Sequence, residues 1–474
     1  MRIDRDRAAG ALVGLAAGDA LGAGFEFTVP ADDEPITMRT GVMGFAPGEW
    51  TDDTAQAVGI ARVTATGSTD VEAIGAQFLD WYATDPRDVG TTTRAALDPV
   101  EGPGQLAAAA ADHFAATGRG AGNGSLMRTA PVALAHLGDD GAIARLATDV
   151  SLLTHGDPLA AEACVLWSIA RDRAVREGVL DVRAGLSLLG EGRRAFWADA
   201  LDTAEATPPA HFRQGNGYVV TALQAAWSAI HHTPVPEDQP CRHLADTLEA
   251  AVRVGGDTDT VAAIAGQLLG ARWGSSAVPW RWRRMLHGWG AAGVHDLVRL
   301  AILTASGGAD DHLGWPSAPS LVETARARGE RQVFCAPADH DGDLLLGNLP
   351  GLPTAVSEGV DAVVSLCRTG RAETPPGVEH HRFWLVDQPG PDVNPNLAFV
   401  LDDAAEAVRT LRQEGKRVYL HCWGGRSRSA TVAALVAAAV TGEDAATTLE
   451  KVGRALPEAR PNPTFAELLR RRLG

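Results

Sequence analysis

The chain has 474 residues, more than one domain of common size needs, so its length indicates two or three domains. Hydrophobic residues make up 45% and charged residues 21%, which excludes disorder of the whole chain. The net charge is −17, from 42 basic and 59 acidic side chains without a long basic tract, which argues against nucleic acid as the main partner and still permits a small anionic ligand.

The N-terminus, MRIDRDRAAG, lacks the basic and then apolar pattern of a signal peptide. The longest apolar run, 432–440, is about half of a membrane span. We therefore expect a cytoplasmic protein without membrane contact. The five cysteines are odd in number and form no CxxC pair, which argues against a disulfide framework or a zinc ribbon.

Residues 1–305 are rich in alanine and in apolar residues at helical spacing, as at Val71, Ile74, Phe78 and Leu79. Alternation typical of strands is scarce there, so this region is predicted to be an all-α domain. The segment 306–330 that follows is rich in turn-forming residues and is predicted to be a linker.

Two clusters of carboxylates and threonines stand out in the helical region. One is Thr51, Asp52, Asp53 and Thr54, and the other is the run Gly255–Thr260, with Asp257, Asp259 and Thr260. Their oxygens are hard ligands suited to Mg²⁺ or Mn²⁺, and two such clusters together can hold two ions. Each cluster also suits a helix N-cap, and the two interpretations are compatible.

Other segments of this region fit a ligand site. Glycine-rich turns can present backbone N–H groups to phosphate, and a lone histidine follows an apolar segment. The candidate residues are Gly18–Gly22 with Glu26, Asp88, Gly90, Thr91, Gly122, Asn123, Gly124 and His155.

In this order, six motifs resemble the ADP-ribosylglycohydrolase family, which includes the dinitrogenase-reductase-activating glycohydrolases. They are GDALGAGFE (18–26), WTDDT (50–54), DVGTTTRAAL (88–97), GNGSLMRTAP (122–131), TH (154–155) and GGDTDTVAAIAGQLLGA (255–271). The resemblance implies hydrolysis of the bond at the anomeric carbon of the distal ribose of ADP-ribose, in an ADP-ribosylated protein or in a small molecule. It also implies two Mg²⁺ ions, with Mn²⁺ as the alternative.

The resemblance assigns roles to residues. The implied metal ligands are Thr51, Asp52, Asp53, Asp257, Asp259 and Thr260. Glu26 would lie near the metals and the scissile bond, where a carboxylate takes the proton from the attacking water. The backbone of 90–93 and 122–124 would hold the diphosphate, with Asp88 beside it. Asn123 and His155 would be positioning groups rather than the base. Which linkage is cleaved, to arginine, to serine or to a small molecule, stays open.

Residues 331–474 have a different pattern of apolar residues from the helical region. Short apolar or β-branched runs at 332–335, 344–346, 362–366, 383–386 and 417–420 alternate with later helical stretches. This alternation predicts a second, α/β domain around a mostly parallel sheet, large enough to fold alone.

The sharpest motif in that domain is HCWGGRSRS at 421–429, between a predicted strand and a predicted helix. Such a loop aims backbone N–H groups at phosphate, and Gly424 and Gly425 permit its tight backbone. Arg428 can donate bidentate hydrogen bonds to two phosphate oxygens. Its positive charge favours the thiolate form of Cys422, which would be the nucleophile, and Ser429 can donate a hydrogen bond to that thiolate. The alternative is a buried structural cysteine before an arbitrary turn.

This motif resembles the loop of cysteine-dependent phosphatases, especially the small dual-specificity ones, and the resemblance spans roughly 331–474. It implies phosphate monoester hydrolysis through a cysteinyl-phosphate without a cofactor, on a phosphorylated protein or a small monoester. Arg426, with the two glycines, is expected to bind substrate. The general acid is Asp387, which directly follows a strand, or Asp392, and the first matches the family position better.

Taken together, the sequence predicts a bifunctional hydrolase. One alternative is an ADP-ribose-binding module that delivers targets to an active phosphatase. Another is a C-terminal domain that binds phosphate without turnover. Glu26 argues against the first alternative, and the Cys422 and Arg428 pair argues against the second.

Overall fold

The computed structural model describes residues 3–390 and 392–474, and the chain divides into two compact units, Met1–Ala309 and Asp310–Gly474. The first unit is helical and the second is built on a sheet, which confirms the predicted fold class of an all-α domain followed by an α/β domain. Within the described ranges no single helix has the length and apolar character of a membrane span, although the bent pair Arg428–Thr441 and Ala445–Ala455 meets that test by length and composition only.

The helices of the first unit are joined by loops and 3₁₀ turns, and the segment 23–51 is the longest of the connections. The helices are α1 (Arg5–Gly22), α2 (Asp52–Thr64), α3 (Val71–Tyr82), α4 (Thr91–Leu97), α5 (Leu106–Thr117), α6 (Ala130–Ala135), α7 (Asp140–Leu152), α8 (Pro158–Glu177), α9 (Glu191–Ala206), α10 (Val219–His232), α11 (His243–Arg253), α12 (Thr258–Trp273), α13 (Trp280–Arg283) and α14 (Val294–Ala305).

The centre of this unit is the close packing of α1 against α12. Helix α1 begins at the Asp4 cap, which accepts hydrogen bonds from two amide groups of the first turn, and it is buried from Ala8 to its end. Its glycines recur every four residues, and a Cβ on Gly14 would lie 2.3 Å from the carbonyl oxygen of Gly266. A Cβ on Gly22 would lie 2.4 Å from the Cα of Asp259. This approach brings the end of α1 to the beginning of α12.

The second unit contains a five-stranded sheet in the order β1-β2-β5-β3-β4. All neighbouring strands run parallel except β1, which is antiparallel to β2. The register places Asn348 opposite Cys422 and Ser365 opposite His421. Its elements are α15 (Val322–Ala327), β1 (Cys335–Ala338), β2 (Asp341–Asn348), α16 (Leu352–Ser357), β3 (Ala362–Ser365), β4 (Glu379–Arg382), α17 (Leu397–Gln413), β5 (Val418–Cys422), α18 (Arg428–Thr441), α19 (Ala445–Ala455) and α20 (Pro463–Leu473).

Some predicted boundaries differ from the structure. The outer strands are displaced, because β1 begins where the run 332–335 ends and β4 lies before the run 383–386. Both are short edge strands, which are less buried than central ones, so hydrophobicity marks them poorly. Most of the segment predicted as a linker, 306–330, belongs to the second unit, where it contains α15 and buries Leu321 and Ala325 completely.

Candidate functional site

Seven carboxylates converge in the first unit where α1 ends and α2 and α12 begin. They are Asp19, Glu26, Asp52, Asp53, Asp88, Asp257 and Asp259. Ligand oxygens of Asp19, Asp53 and Asp259 lie within 4.8 Å of one another, and so do those of Glu26, Asp257 and Asp259. Two neighbouring groups that share Asp259 can therefore each hold a metal ion.

Among the residues that the structure describes, the carboxylates of this cluster have no ion-pair partner. Burial and mutual repulsion raise the pKa values of Asp52, Asp53 and Asp259 well above the ordinary carboxyl value. Burial, reinforced by Asp88 and Asp257, raises the pKa of Glu26 to about 8. In the part of the chain that the structure describes, no arginine, lysine or histidine forms a salt bridge with any of the seven.

Three oxygens in the cluster are buried without a hydrogen-bond partner: Glu26 Oε2, Asp53 Oδ1 and Asp259 Oδ1. A buried, unpaired carboxylate oxygen is costly, and coordination to a cation removes that cost. All the donors are carboxylates and threonine hydroxyls, the set that hard divalent cations prefer. The residues present therefore fit a divalent metal centre.

The predicted ligands do not all take the same position. Thr51 Oγ1 lies 3.2 Å from Asp53 Oδ2 and 3.4 Å from Asp259 Oδ2, and Thr260 Oγ1 lies 3.3 Å from Asp53 Oδ2. Asp52 belongs to neither group of three and instead accepts a hydrogen bond from the Gln56 amide at 3.3 Å. The structure thus brings all six predicted ligands to one cluster, with Asp52 at its edge.

Asp19 has a role that the sequence analysis did not assign. Its carboxylate accepts hydrogen bonds from the backbone N–H groups of Thr51 and Thr54, both at 2.9 Å, and from both hydroxyls. Four hydrogen bonds hold the first turn of α2 against α1. Burial raises the pKa of Asp19 to about 6. An aspartate inside an otherwise apolar helix was the signal in the sequence.

The loop that carries Asp257 is fixed by two asparagines. Asn123 Nδ2 donates to Asp257 Oδ2 at 2.8 Å and to the carbonyl of Asn216 at 2.9 Å. Asn216 Oδ1 accepts from the Asp257 amide at 3.1 Å, and its Nδ2 donates to Gly255. Asn216 was missed because it lies about 40 residues before the motif that it supports. The predicted positioning role of Asn123 stays a prediction, now with defined contacts.

The candidate phosphate loops lie beside His155. A Cβ on Gly122 would lie 3.3 Å from His155 Nε2, and one on Gly124 would lie 3.1 Å from its Cε1. Gly90 caps α4, where Thr91 is exposed at the first position. Burial and the charge of Arg128 lower the pKa of His155 well below its ordinary value, so the ring is neutral and suits a positioning role.

Arg128 extends these contacts to the carboxylates. Its guanidinium is buried and donates to Gln56 Oε1 at 2.5 Å and to Thr154 Oγ1 at 2.7 Å. Gln56 in turn contacts Asp52, and Thr154 contacts His155 Nδ1 at 2.8 Å. The sequence analysis quoted Arg128 inside a motif without a role. The structure shows it as the centre of a network between the loop histidine and the edge of the cluster.

In the second unit, Cys422 ends β5 and is buried, with its Sγ 3.3 Å from Ser429 Oγ. The loop from Cys422 to Arg428 turns through Gly425, whose φ of 73° is in the left-handed region. A Cβ there would also meet the Gly347 carbonyl oxygen at 3.2 Å, so glycine suits this position twice over. The loop thus joins strand to helix as the motif predicted.

The two arginines of this loop have different surroundings. Arg428 Nη1 donates to the carbonyl oxygens of Leu366 and Leu385, both at 3.1 Å, while its Nε is buried without a hydrogen-bond partner. Arg426 forms ion pairs at 2.8 Å with Glu330 and Glu458. The side chain of Arg426 is thereby engaged elsewhere, and its predicted contact with substrate is left to its backbone N–H.

Asp387, one of the two candidate acids, lies beside this loop. Its Oδ2 is 3.6 Å from Arg428 Nε, and its Oδ1 accepts a hydrogen bond from Asn462 Nδ2 at 3.0 Å. Asp392 is exposed. The geometry thus favours Asp387, and the choice between the two stays a prediction.

Asn462 was missed by the sequence analysis. Its side chain contacts Asp387, and its backbone N–H donates to Ser427 Oγ at 3.0 Å. Close by, the backbone N–H of Gly390 donates to Thr464 Oγ1. Residues 460–464, which we call the C-terminal clasp, therefore hold both the cysteine loop and the acid loop. Asn462 precedes α20 and also caps it, and only that capping role was visible from its sequence context.

The first unit thus has a helical site whose carboxylates could hold metal ions, and the second has a cysteine-and-arginine loop on an α/β sheet. The family model of ADP-ribosylglycohydrolase matches residues 1–310, and the chain belongs to the ADP-ribosylglycohydrolase family. This match confirms the resemblance that the six ordered motifs indicated.

Relatives of known name match the same region. The ADP-ribosyl-[dinitrogen reductase] glycohydrolase of Rhodospirillum rubrum is 30% identical over 291 residues, covering 58% of this chain and 89% of the relative. The ADP-ribosylarginine hydrolase Tri1 of Pseudomonas putida is 31% identical, covering 58% and 73%. Human ADP-ribosylhydrolase ARH3 is 26% identical, covering 59% and 89%. These relatives and the family membership support ADP-ribosyl hydrolase activity.

Solved structures match each unit separately. One solved structure, titled as an ADP-ribosylglycohydrolase-related protein complex, matches over 64% of this chain and 99% of its own chain. The sequence identity is 31% and the TM-score is 0.48. Human DUSP28 covers 29% of this chain and 95% of its own, at 26% identity and a TM-score of 0.26. The assignment of the second unit therefore depends on the residues of its own site.

Proposed function

We propose that the first unit hydrolyses the glycosidic bond between ADP-ribose and its carrier with divalent cations, Mg²⁺ or Mn²⁺, held by two groups of carboxylates. The observation that carries this proposal is the buried cluster, in which three oxygens lack any hydrogen-bond partner. Asp53 and Asp259 would hold one ion with Thr51 and Thr260 beside them. Asp257, Asp259 and Glu26 would surround the other.

In this proposal the bound ions supply Lewis-acid stabilisation for oxygens around the anomeric carbon. The chain itself supplies a base and a binding frame. Glu26 accepts a proton from the attacking water, because its Oε2 is buried and unpaired and its carboxylate has an oxygen within 4.8 Å of those of Asp257 and Asp259. The water oxygen bonds to the anomeric carbon while the C–O or C–N bond to the leaving group breaks and positive charge develops on the ribose. The surrounding carboxylates stabilise that charge, and the leaving atom takes up a proton from solvent.

The diphosphate is proposed to lie on the loops 90–93 and 122–124. Glycines there leave room for close approach to backbone N–H groups, and neutral His155 lies against Gly122 and Gly124 without adding charge. Asn123 joins this region to Asp257 through a 2.8 Å hydrogen bond. One rigid connection thus sets the distance between the diphosphate and the metal centre.

For the second unit we propose phosphate monoester hydrolysis. Cys422 Sγ attacks phosphorus, the bond to the leaving oxygen breaks, and Asp387 protonates that oxygen. Water then hydrolyses the cysteinyl-phosphate, which releases phosphate and restores the thiolate. The observation that favours this activity is the placement of Cys422, Ser429 and Arg428 in one loop with Asp387 3.6 Å from Arg428.

The alternative is that the first unit only binds ADP-ribose and delivers a target to an active phosphatase. A binding module needs no carboxylate placed to take a proton from water. The position of Glu26 beside Asp257 and Asp259 therefore favours turnover over binding alone.

The test uses the purified full chain with Mg²⁺ and three substrates: an arginine-linked ADP-ribosyl peptide, a serine-linked one, and ADP-ribose 1″-phosphate. Products are followed by mass spectrometry, in parallel with the Asp257→Ala and Cys422→Ser variants. Release of ADP-ribose that disappears with Asp257→Ala and survives Cys422→Ser establishes the glycohydrolase and its linkage. Binding of ADP-ribose without release from any substrate would overturn it in favour of the binding module.

The buried carboxylates of the cluster predict an unusual pH dependence for the metal-free protein. The folded pKa values of Asp19, about 6, and Glu26, about 8, exceed the ordinary values of 3.8 and 4.5. The folded state therefore holds protons that the unfolded chain has released, and stability falls as pH rises from about 4 to about 8. We expect the melting temperature in chelator to fall between pH 6 and pH 8, and saturating Mg²⁺ to reduce that fall. Glu26→Gln should also reduce it, and an unchanged fall would contradict the prediction.

The C-terminal clasp predicts a second effect. Asn462→Ala frees Asp387, so protonation of the leaving oxygen is impaired and kcat should fall about tenfold for phenyl phosphate. The effect should be smaller for para-nitrophenyl phosphate, because its leaving group departs without protonation. In an Asp387→Asn background Asn462→Ala should have little further effect. Equal losses on both substrates would show that Asn462 acts only on the fold.

A further inference from the structure

Phe27, the residue directly after Glu26, combines two unusual features. Its side chain is 66% exposed, and its φ of 58° lies in the left-handed region. Within the described residues only Asp85 among the other non-glycine residues has a positive φ. A bulky side chain disfavours this conformation, and such outliers persist where the surroundings or the function require them.

The backbone around Phe27 is firmly held. Its amide N–H donates to the carbonyl of Gly256 at 2.7 Å, and a Cβ on Gly255 would lie 3.0 Å from Val29 Cγ2. Arg39 Nε donates to Gly24 at 3.1 Å, which secures the start of the same loop. The ring of Phe27 is thus presented to solvent by a backbone tied to the loop that carries Asp257.

Phe27 and the candidate phosphate loop 122–124 contact the metal loop at neighbouring residues. Asp257 accepts a hydrogen bond from Asn123, whereas the carbonyl of Gly256 accepts one from Phe27. Under the proposed function the diphosphate lies at the Asn123 contact and the ribose lies over the carboxylates. The Phe27 contact is then left for the group beyond the scissile bond.

We propose that Phe27 is a specificity-determining residue whose ring contacts the leaving group when that group is a side chain of a polypeptide. This inference rests on the proposed glycohydrolase function of the first unit. Val29, which is 52% exposed next to Phe27, extends the same apolar edge. An apolar edge beside a strongly acidic centre suits the aliphatic or planar part of a modified side chain and the peptide around it.

The test compares two substrates that share ADP-ribose and differ in the leaving group. One is the ADP-ribosyl peptide that the wild type cleaves, and the other is ADP-ribose 1″-phosphate, whose leaving phosphate is too small to reach the ring. Every variant is made in the Cys422→Ser background, so that any ADP-ribose is released by the first unit. Phe27→Ala should lower kcat/KM for the peptide about tenfold, mainly through KM, and change that for the phosphate less than about twofold.

Three further variants separate contact from folding. Phe27→Tyr keeps a ring and should keep peptide cleavage. Phe27→Asn suits the left-handed backbone, so it should raise the melting temperature and still lose peptide cleavage. Val179→Ala, at another exposed valine, should change neither substrate. Equal losses on both substrates with Phe27→Ala, or no loss on the peptide, would overturn the proposal. Cleavage of the phosphate alone by the wild type would overturn it while the glycohydrolase stands, whereas cleavage of neither would overturn the proposed function itself.

Discussion

Asp259→Asn is expected to abolish the release of ADP-ribose, with a loss of roughly 10³-fold or more, since a catalytic metal ion supplies several kcal/mol of stabilisation to the transition state. Asp259 is the residue common to both groups of potential metal ligands. Its replacement weakens both positions at once, whereas a change at Asp53 or Asp257 affects one. Initial rates on the cleaved substrate at saturating Mg²⁺ measure this loss.

The same variant has a second signature, in stability. Removing one charge from a repulsive, buried cluster should raise the melting temperature in chelator, because the pKa of Asp259 is held well above its ordinary value by burial and by Glu26. The rise in melting temperature on adding Mg²⁺ should shrink at the same time. Asp238→Asn, at an exposed aspartate, is the matched control. An Asp259→Asn protein with the full Mg²⁺ response would contradict the metal assignment.

The residues that sequence reasoning found in this cluster share a property: they stand in motifs beside glycines or next to one another. The residues whose roles it missed, even Asp19 inside a quoted motif, act through tertiary contacts. Asn216 supports a loop about 40 residues later, and Asp19 reaches Thr51 and Thr54 across the space between two helices. Such contacts depend on how helices pack, and hydrophobic periodicity along one segment does not specify that packing.

The same distinction explains the errors in the second unit. The central strands were found because they are buried on both faces and read as apolar runs. Strand β4, Glu379–Arg382, contains only polar residues, so its own composition does not indicate a strand. Pairing with β3 sets its position in the structure. The grouping of Arg426 with the substrate-binding residues stays a prediction. The ion pairs of its side chain were not foreseen, because their partners, Glu330 and Glu458, are distant in sequence.

The two proposed activities use separate residues, so each can be removed without the other. Two independent activities in one chain can act on the same substrate. A substrate that carries both ADP-ribose and phosphate could be processed by either unit first. ADP-ribose 1″-phosphate is the smallest such molecule. Its cleavage by Cys422→Ser and by Asp257→Ala would release the same two products through different bonds, C–O in the first case and P–O in the second. Hydrolysis in ¹⁸O-labelled water therefore distinguishes the units, because the label enters the released phosphate only when the P–O bond breaks.

Cys422→Ser is expected to abolish release of phosphate from para-nitrophenyl phosphate, because a serine hydroxyl in this loop lacks a base to activate it. Arg428 and the backbone of the loop are unchanged in this variant, so it should still bind inorganic phosphate. Binding is measured by calorimetry and turnover by absorbance. The release of ADP-ribose by the first unit should be unaffected, which controls for folding of the chain.

A second cysteine supplies the matched control. Cys367 is also buried, and burial raises the pKa of its thiol, so it remains protonated and unreactive. Iodoacetate should therefore alkylate Cys422 and spare Cys367, and inorganic phosphate should protect Cys422 by occupying the loop. Cys367→Ser should keep phosphatase activity. Alkylation without preference for Cys422, or turnover that survives Cys422→Ser, would contradict the role of Cys422 as the nucleophile. The loop would then be a phosphate-binding turn only, because catalysis there requires a nucleophile and binding does not.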